Sequence, residues 1–576
     1  MHTFRVWAPN AESVDLVLRD GRLPLNQAGA WWVRDVVEAH HGTDYAFTVD
    51  GSEPLPDPRS AWQPDGVQGF SRVFDENRFR WTDGDWAGRD VRGSVFYELH
   101  IGTFTEHGTL DAATEHLDYL VALGVEVVSL MPVAAFPGRH GWGYDGVHLF
   151  AVHEPYGGPE ALQRFVNRCH EVGLAVCLDV VYNHLGPSGN RLGEFGPYFT
   201  DRHTTPWGQA VNLDDTGSTE VRRWICDNAL RWFRAFHIDA LRLDAVHALA
   251  DDSPTHLLAQ LSSETADLSE KLGRPLGLVA ESDLNDPRMV EPVSEGGLGM
   301  TAQWSDDFHH ALHTLLTGER AGYYVDFGEP GVFAKALTQV FFHDGSYSTF
   351  RGQDWGRPVD PARHRGGEFL AYTSNHDQVG NRALGDRPAL TPGQLAIGAA
   401  LVLTSPYTPM LFMGEEWGAS TPWRYFTDHE EPELAEAVRT GRRREFADHG
   451  WDAEEIPDPQ DPETWHSSVL DWTELDESPH HELLAWYRDL LALRARTPDL
   501  RDDRLSSVGI AYDADGDWLV VTRGSVNVVV NLAVGEAVVP VDGGPSHELL
   551  SFGTAVAVTD GVRLSGHGVS LRTSSI

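Results

Sequence analysis

The sequence predicts an α/β fold: a (β/α)8 TIM barrel with a β-sandwich at each end. Three observations predict it. Short strands with turn signals fill the first 90 residues. Strand and helix signals then alternate from about residue 94 to about 500, and a β texture returns after residue 505. The expected division is a sandwich over 1–90, a catalytic barrel with inserted loops over 91–503, and a C-terminal β-sheet unit over 504–576. A chain of 576 residues is too long for one ordinary core, so several units are the starting expectation.

At the N-terminus, "SVDLVLRDG" alternates and turns on Asp20-Gly21. "DYAFTVDG" sets Tyr45, Phe47 and Val49 on one face and turns on Asp50-Gly51. Short strands at this spacing suit a sandwich. The polar run "TDGDWAGRDVRG", 82–93, reads as a boundary. After it comes an apolar run, "VFYELHIG", and a helical one, "LDAATEHLDYLVALG", which Gly124 stops. The strand "VEVVSLMPV" follows. "GPEALQRFVNRCHEVG" is helical, with Pro159 in its first turn and Leu162, Phe165, Val166 and Cys169 on one face. Strands recur as "LAVCLDVVYNH", "HIDALRLD", "LGLVAES", "EFLAYTSNHD" and "TPMLFMGEE", before a closing helix, "HELLAWYRDLLALRART". Strands apolar on both faces imply a parallel sheet covered by helices. About eight of them favour a closed barrel over an open sheet. The long insertion 183–218 is expected over the barrel top, and "DWLVVTRGSVNVVVNLAVG" opens the C-terminal sheets.

The chain has 44 basic against 86 acidic residues, a net charge of −42. That excludes nucleic acid and anionic membrane as natural partners, because both select cationic surface. Three cysteines, Cys169, Cys177 and Cys226, make no disulfide framework. The first residues lack a secretory pattern and no stretch approaches a membrane span, so a soluble cytoplasmic protein is expected. The 19 Trp and 15 Tyr suit the flat apolar faces of sugars, though aromatics also fill cores.

In a barrel, catalytic groups sit at the C-terminal ends of strands. Polar residues fall there repeatedly: Asp179, Asn183 and His184 after strand three, Arg242 and Asp244 at strand four, Glu281 at strand five, His376 and Asp377 at strand seven. Residues two apart on a strand share a face, so Arg242 and Asp244 project together. Singly, each of these residues also fits a turn, a cap or a core position. Together they place several carboxylates, with Arg and His, around one pocket that has no Ser-His or Cys-His pair. That points to glycoside chemistry, which needs one carboxylate to attack and one carboxylic acid to protonate the leaving oxygen. Arg242 is expected to keep Asp244 ionised, and Glu281 to titrate high beside a second carboxylate. Asp179, Asn183 and His184 offer oxygen and nitrogen ligands to a cation, but no metal-binding spacing is present. No metal and no cofactor are expected.

"DVVYNH" (179–184), "DALRLDAVH" (239–247), "LVAES" (278–282) and "TSNHD" (373–377) resemble, in order, the four short regions of the α-amylase superfamily of retaining glycosidases. "FRVWAPNAESVDLVL" extends the resemblance to the N-terminal domain of branching and debranching relatives. The resemblance implies Asp244 as nucleophile, Glu281 as general acid and base, and Asp377 as the third carboxylate. It implies a sugar subsite lined by His184, Arg242 and His376, with Tyr144 stacked under the sugar and Asp145 beside it. Within the superfamily, "YELHIGTFT" (97–105), "FPGRHGWGYDGV" (136–147), "ESDLNDPR" (281–288), "NHDQVGNRALGDR" (375–387) and "LFMGEEWGASTPWRYFTDH" (411–429) resemble the trehalose-releasing members. Those cleave the α-1,4 bond next to the terminal trehalose unit of maltooligosyltrehalose and need no external cofactor. The substrates implied are maltooligosyltrehalose and maltodextrin, the product trehalose, and the companion maltooligosyltrehalose synthase.

Such specificity has to come from the leaving-group side. Trp207, Tyr323, Tyr324, Phe327, Trp417 and Trp423 are the aromatic candidates, and Asp283, Asn285 and Asp286 the polar ones. Two alternatives stand beside this reading. An α-1,4-glucan branching or debranching enzyme would share the sandwich and all three carboxylates. A non-catalytic glucan-binding protein on the same scaffold would be expected to have lost one of Asp244, Glu281 and Asp377, and all three are present.

Overall fold

The computed structural model describes residues 1–447, 454–541 and 547–573. Eight parallel strands close a barrel. They are β1 (Phe96–Leu99), β2 (Val127–Leu130), β3 (Ala175–Val180), β4 (Ala240–Leu243), β5 (Gly277–Ala280), β6 (Ala302–Trp304), β7 (Phe369–Ala371) and β8 (Thr408–Phe412), and β8 pairs with β1. The outer layer includes α1 (Leu117–Leu123), α2 (Gly158–Glu171), α3 (Ser218–Ala235), α4 (Leu257–Leu272), α5 (Asp306–Thr317), α6 (Pro330–Gln339), α7 (His376–Gly380), α8 (Pro392–Leu403) and α9 (His480–Arg496).

Strand alternation builds two cores. Phe96, Val127, Cys177, Ala240, Val279 and Met410 pack together inside the barrel. Their neighbours Val128, Leu178, Leu241, Leu278 and Leu411 face outward, into the layer that includes Phe165 of α2 and Phe233 of α3. The same parity decides what stands at the barrel mouth. Glu98 is two residues beyond Phe96, Asp179 two beyond Cys177, and Glu281 two beyond Val279. Arg242 and Asp244 are two and four beyond Ala240. All five take the interior face above an apolar plug. Pairing of β3 with β4 sets Asp179 opposite Arg242.

The flanking sheets lie where the sequence puts β texture. Residues 2–72 form a three-stranded and a four-stranded antiparallel sheet. Residues 508–573 form a five-stranded and a three-stranded sheet. Residues 542–546 and 574–576 of the expected C-terminal unit lie outside the described residues. All three cysteines are free and buried. No helix among the described residues is long and apolar enough to cross a membrane.

Three expectations need correction. The sequence pattern gives no sign of β6, which has only three residues and follows 3-10 turns instead of a helix. The helix expected over 110–124 is two pieces, Leu110–Thr114 and α1, because i→i−3 bonds from Glu115 and His116 tighten the chain between them. The run 82–93 is held to the barrel floor, where Trp86 Nε1 donates to Asp239 Oδ1 at 2.8 Å and Arg89 pairs with Glu126 at 2.9 Å. His376 and Asp377 stand on the first turn of α7 and not at the end of β7.

Candidate active site

Arg242 is the hub of the barrel mouth. Its side chain is 2 % exposed. Nη1 donates to Asp179 Oδ2 at 2.6 Å and to Asp244 Oδ1 at 2.9 Å, and Nη2 lies 2.8 Å from Glu281 Oε2. The guanidinium also lies over the Trp304 ring, 4.5 Å from its centroid. Asn183 Nδ2 donates to the second oxygen of Asp244 at 2.7 Å. Both oxygens of Asp244 are therefore held, from β4 itself and from the segment after β3.

The residue after Asp244 is in an unusual conformation. Ala245 has φ 38° and ψ 51°, left-handed backbone that a residue with a Cβ rarely adopts. That twist aims its N–H at Glu281 Oε2, 2.7 Å away. Local strain is thus exchanged for a fixed link between the ends of β4 and β5.

Tyr144 is set by glycine chemistry. Gly143 has φ 101°, and a Cβ there would lie 2.4 Å from the Pro132 carbonyl oxygen. The turn lays the Tyr144 ring against His376, with centroids 5.3 Å apart and planes at 25°. Its hydroxyl donates to Asp179 Oδ2 at 2.8 Å and lies 2.8 Å from His376 Nε2. Glu98 holds the other side of that imidazole: Oε1 is 2.8 Å from Nδ1, and Oε2 accepts the His376 backbone N–H at 2.9 Å.

Three acids on one guanidinium cannot all ionise freely. Burial pushes Glu281 up, Asp244 and Asp377 push it further, and Arg242 and the Ala245 N–H oppose; the carboxyl comes to about 8. Burial likewise lifts Asp179 to about 6 against the pull of Arg242. Burial depresses the His376 imidazole, but Glu98 and Asp377 outweigh it and bring it to about 9.

A cavity of 480 Å³ opens on this cluster, within the usual size range of ligand pockets. Tyr144, Asp145, His184, Trp207, Asp244, Glu281, His376 and Asp377 line it, and Arg242 lies beneath. His184 Nε2 donates to the Tyr144 carbonyl at 3.0 Å. Trp207 is half exposed and lies flat on His184, with centroids 4.4 Å apart and planes at 5°. Asp283 is not in the lining but lies 3.7 Å from the ring of His247, which is, and 3.0 Å from Arg351.

Several expected residues are elsewhere. Trp417 is fully buried against Trp472, and its indole N–H goes to Glu474 at 3.2 Å. Tyr324 is in the core, stacked on His313 and paired through its hydroxyl with His309. Phe327 is also core. Trp423 is buried behind the wall, flat on Trp142, which does line the cavity. Tyr323 alone of the other aromatic candidates is open, at 41 % exposure. Asn285 anchors Asp307, and Asp286 caps a short turn and pairs with Arg288, so both are local braces. Sequence reasoning missed Glu98 and His247 outright, and it placed Asp179 at the pocket without seeing that it would pair with Arg242. Each had a readable signal: a polar residue in or beside an apolar strand run, the same signal that exposed Asp244.

Barrel, flanking sheets and this constellation of acids define a glycoside hydrolase of the α-amylase superfamily. The catalytic-domain profile of the alpha-amylase family matches residues 74–194. The chain is 51 % identical over 99 % of both chains to a malto-oligosyltrehalose trehalohydrolase of Arthrobacter ramosus. It is 44 % identical to the enzyme of that name from Saccharolobus solfataricus, over 85 % of each chain. A crystal structure of a Salmonella typhimurium protein superposes with TM-score 0.91 at 36 % identity, covering 100 % of this chain and 97 % of that one. The chain belongs to the malto-oligosyltrehalose trehalohydrolase family.

Proposed function

We propose that the protein hydrolyses the α-1,4-glucosidic bond beside the terminal α,α-trehalose unit of a maltooligosyltrehalose, with retention at the anomeric carbon, and releases trehalose. The observation that carries the chemistry is one buried guanidinium touching three carboxylates at the barrel mouth. The choice of substrate rests on similarity along the whole chain to enzymes bearing that name.

In the first step Asp244 attacks the anomeric carbon as the glycosidic C–O bond breaks, and Glu281 gives its proton to the departing oxygen. Arg242 and Asn183 orient the attacking carboxylate. Glu281 Oε2 is occupied by the Ala245 N–H and Arg242, so Oε1 carries the proton. In the second step Glu281, now a carboxylate, takes a proton from water. The water oxygen attacks the same carbon and Asp244 leaves. Asp377 grips sugar hydroxyls, Tyr144 forms the platform, and His184, Arg242, His376, Asp145 and Trp207 enclose the ring. Asp283, with His247 and Arg351, and Tyr323 supply the leaving-group side. Tyr324 and Trp417 act only by packing.

No cofactor takes part in these steps. The physiological companion is maltooligosyltrehalose synthase, which makes the substrate. Three buried free thiols suit a cytoplasmic setting. A branching or debranching enzyme would use the same acids but resolve the intermediate with a sugar hydroxyl, or act at α-1,6 bonds. Chromatography separates the readings. Trehalose released from maltotriosyltrehalose, with maltopentaose left nearly intact, supports the proposal. Rapid maltose from maltopentaose, or branched products from amylose, overturns it.

A further inference from the structure

We propose that Glu98 is a positioning residue for this reaction: its carboxylate keeps the His376 ring in the doubly protonated, cationic form and, through that ring, fixes the Tyr144 hydroxyl. The proposal rests on the function proposed above, which makes no use of Glu98.

Glu98 is on the interior face of β1 and its side chain is 3 % exposed. It grips His376 at two points, the backbone N–H at 2.9 Å and Nδ1 at 2.8 Å. His376 is the first residue of α7 and Asp377 the second. Asn375 caps the same turn, accepting the Asp377 N–H at 2.9 Å. The position of Asp377 is therefore set from β1 across the barrel as well as from its own cap.

Proton counting gives the charge. A carboxylate only accepts, so Glu98 requires a proton on Nδ1. The Tyr144 hydroxyl has one proton, and Asp179 Oδ2, itself paired with Arg242 at 2.6 Å, takes it. The hydroxyl must then accept from His376, so Nε2 carries a proton too. Both nitrogens are protonated and the ring is an imidazolium. The other charged or titratable groups around it are Asp377 at 3.6 Å from Nε2, Arg242 from β4, and His100 just after β1. Edges or faces of Trp142, Trp304 and Trp423 close the remaining sides. Burial opposes the charge, and Glu98 with Asp377 overrides it. The cation sits beside Asp377 and stacked on Tyr144, under the sugar plane.

Glu98→Gln keeps the shape. Its amide oxygen still accepts the His376 N–H, but its NH2 group faces Nδ1 and favours a neutral ring. The measurement is kcat/KM from pH 5 to 10 on maltotriosyltrehalose for the wild type, E98Q, H376Q and the double variant. In E98Q the alkaline limb moves down to about 6.5, the ordinary histidine range, with at least a tenfold loss at pH 8 and near-normal activity at pH 5.5. In H376Q the buried Glu98 has lost its partner, so adding E98Q costs nothing further. The wild type alone provides an independent readout. Its log kcat/KM falls with slope −1 above the Glu281 limb and steepens to −2 as His376 loses its proton, near pH 9. An E98Q limb that stays in place, losses that multiply in the double variant, or a wild-type slope of −1 up to pH 10 each overturn the proposal. A wild type that cleaves maltodextrin with both limbs present but releases no trehalose overturns the substrate instead and leaves the role of Glu98 standing.

Discussion

Arg242 shows why a barrel strand carries charge in its interior. One planar guanidinium reaches three carboxylates at 2.6–2.9 Å, a geometry that a lysine ammonium cannot copy. Arg242→Lys is therefore expected to cost at least about 100-fold in kcat/KM with the charge retained. Asp244→Ala removes the attacking atom, and a loss on the order of 10⁴-fold or more is expected in kcat. Glu281→Gln removes only the proton donor, so a maltosyl fluoride, whose leaving group needs no proton, is expected to regain the first step while natural substrates do not. The same residue sets the alkaline limb. An acid that titrates near 8 is protonated at neutral pH and stops working as the pH rises through that value. It also costs stability. The folded state holds this proton above the ordinary carboxyl range, so stability falls as the pH rises from about 4 toward 8. Glu281→Gln is accordingly expected to raise Tm, more at pH 9 than at pH 5, by calorimetry. Asp244 and Glu281 were legible because core packing disfavours an acid at the end of an apolar run, so its presence there signals chemistry. Trp417 and Tyr324 were not, because an aromatic residue in a loop reads the same whether it meets a sugar or a core.

Elements were legible where they were long or strongly periodic. α2 has its Pro at the start and its apolar stripe buried, as the residue spacing implied. β6 was not legible, since three residues after the glycine-rich turn 296–299 present neither alternation nor a run. Yet β6 delivers Trp304 under Arg242, which the barrel needs. The insertion after β3 was expected over the mouth, but its form could not be read. It contains a hairpin, Phe199–Thr205 with Gly208–Val211, whose turn presents Trp207 to His184. The hairpin is pinned at its far side, where His203 and the backbone N–H of Asp252 meet Asp214 at 2.8 and 2.9 Å. A tryptophan carried on a pinned hairpin gives a sugar a rigid face at little entropic cost. Removing the ring in Trp207→Ala takes away a stacking contact of about 0.5–1.5 kcal/mol. KM for maltotriosyltrehalose is expected to rise about 3–10-fold with kcat little changed, and steady-state kinetics measures this directly. An equal fall in kcat would instead mean that the hairpin aligns the catalytic acids.

At the scale of the whole molecule, the floor of the barrel has its own charge cluster, far from the mouth in each strand's direction. The strap 82–93 crosses this floor. His170, at the end of α2, lies between Asp83 of the strap at 2.8 Å and Asp239 at the start of β4 at 3.0 Å. Trp86 covers the imidazole, with ring centroids 4.7 Å apart. Arg274, after α4, reaches Asp239 at 3.2 Å, and Asp239 also accepts the Val176 N–H of β3 at 2.9 Å. The strap, α2, α4, β3 and β4 thus converge on one fully buried histidine. Burial depresses that imidazole, but Asp239 and Asp83 outweigh it and hold it above its ordinary value. Against burial, His170 and His237 hold Asp83 below the usual carboxylate range. The sign follows. A histidine raised in the folded state contributes stability that is complete below its unfolded value and is lost as the pH rises through the folded one. His170→Gln removes the cation that Asp83 and Asp239 share and leaves them only His237 and Arg274 respectively, a loss of about 1–3 kcal/mol. Thermal unfolding at pH 6 is expected to show the full drop in Tm. As the pH rises through the raised value of that imidazole, the wild type loses the same charge, and the gap between the two proteins is expected to narrow. A gap that stays constant through the titration of that imidazole would mean that His170 braces the floor by shape alone, and that the strap owes its hold to Trp86 and Arg89.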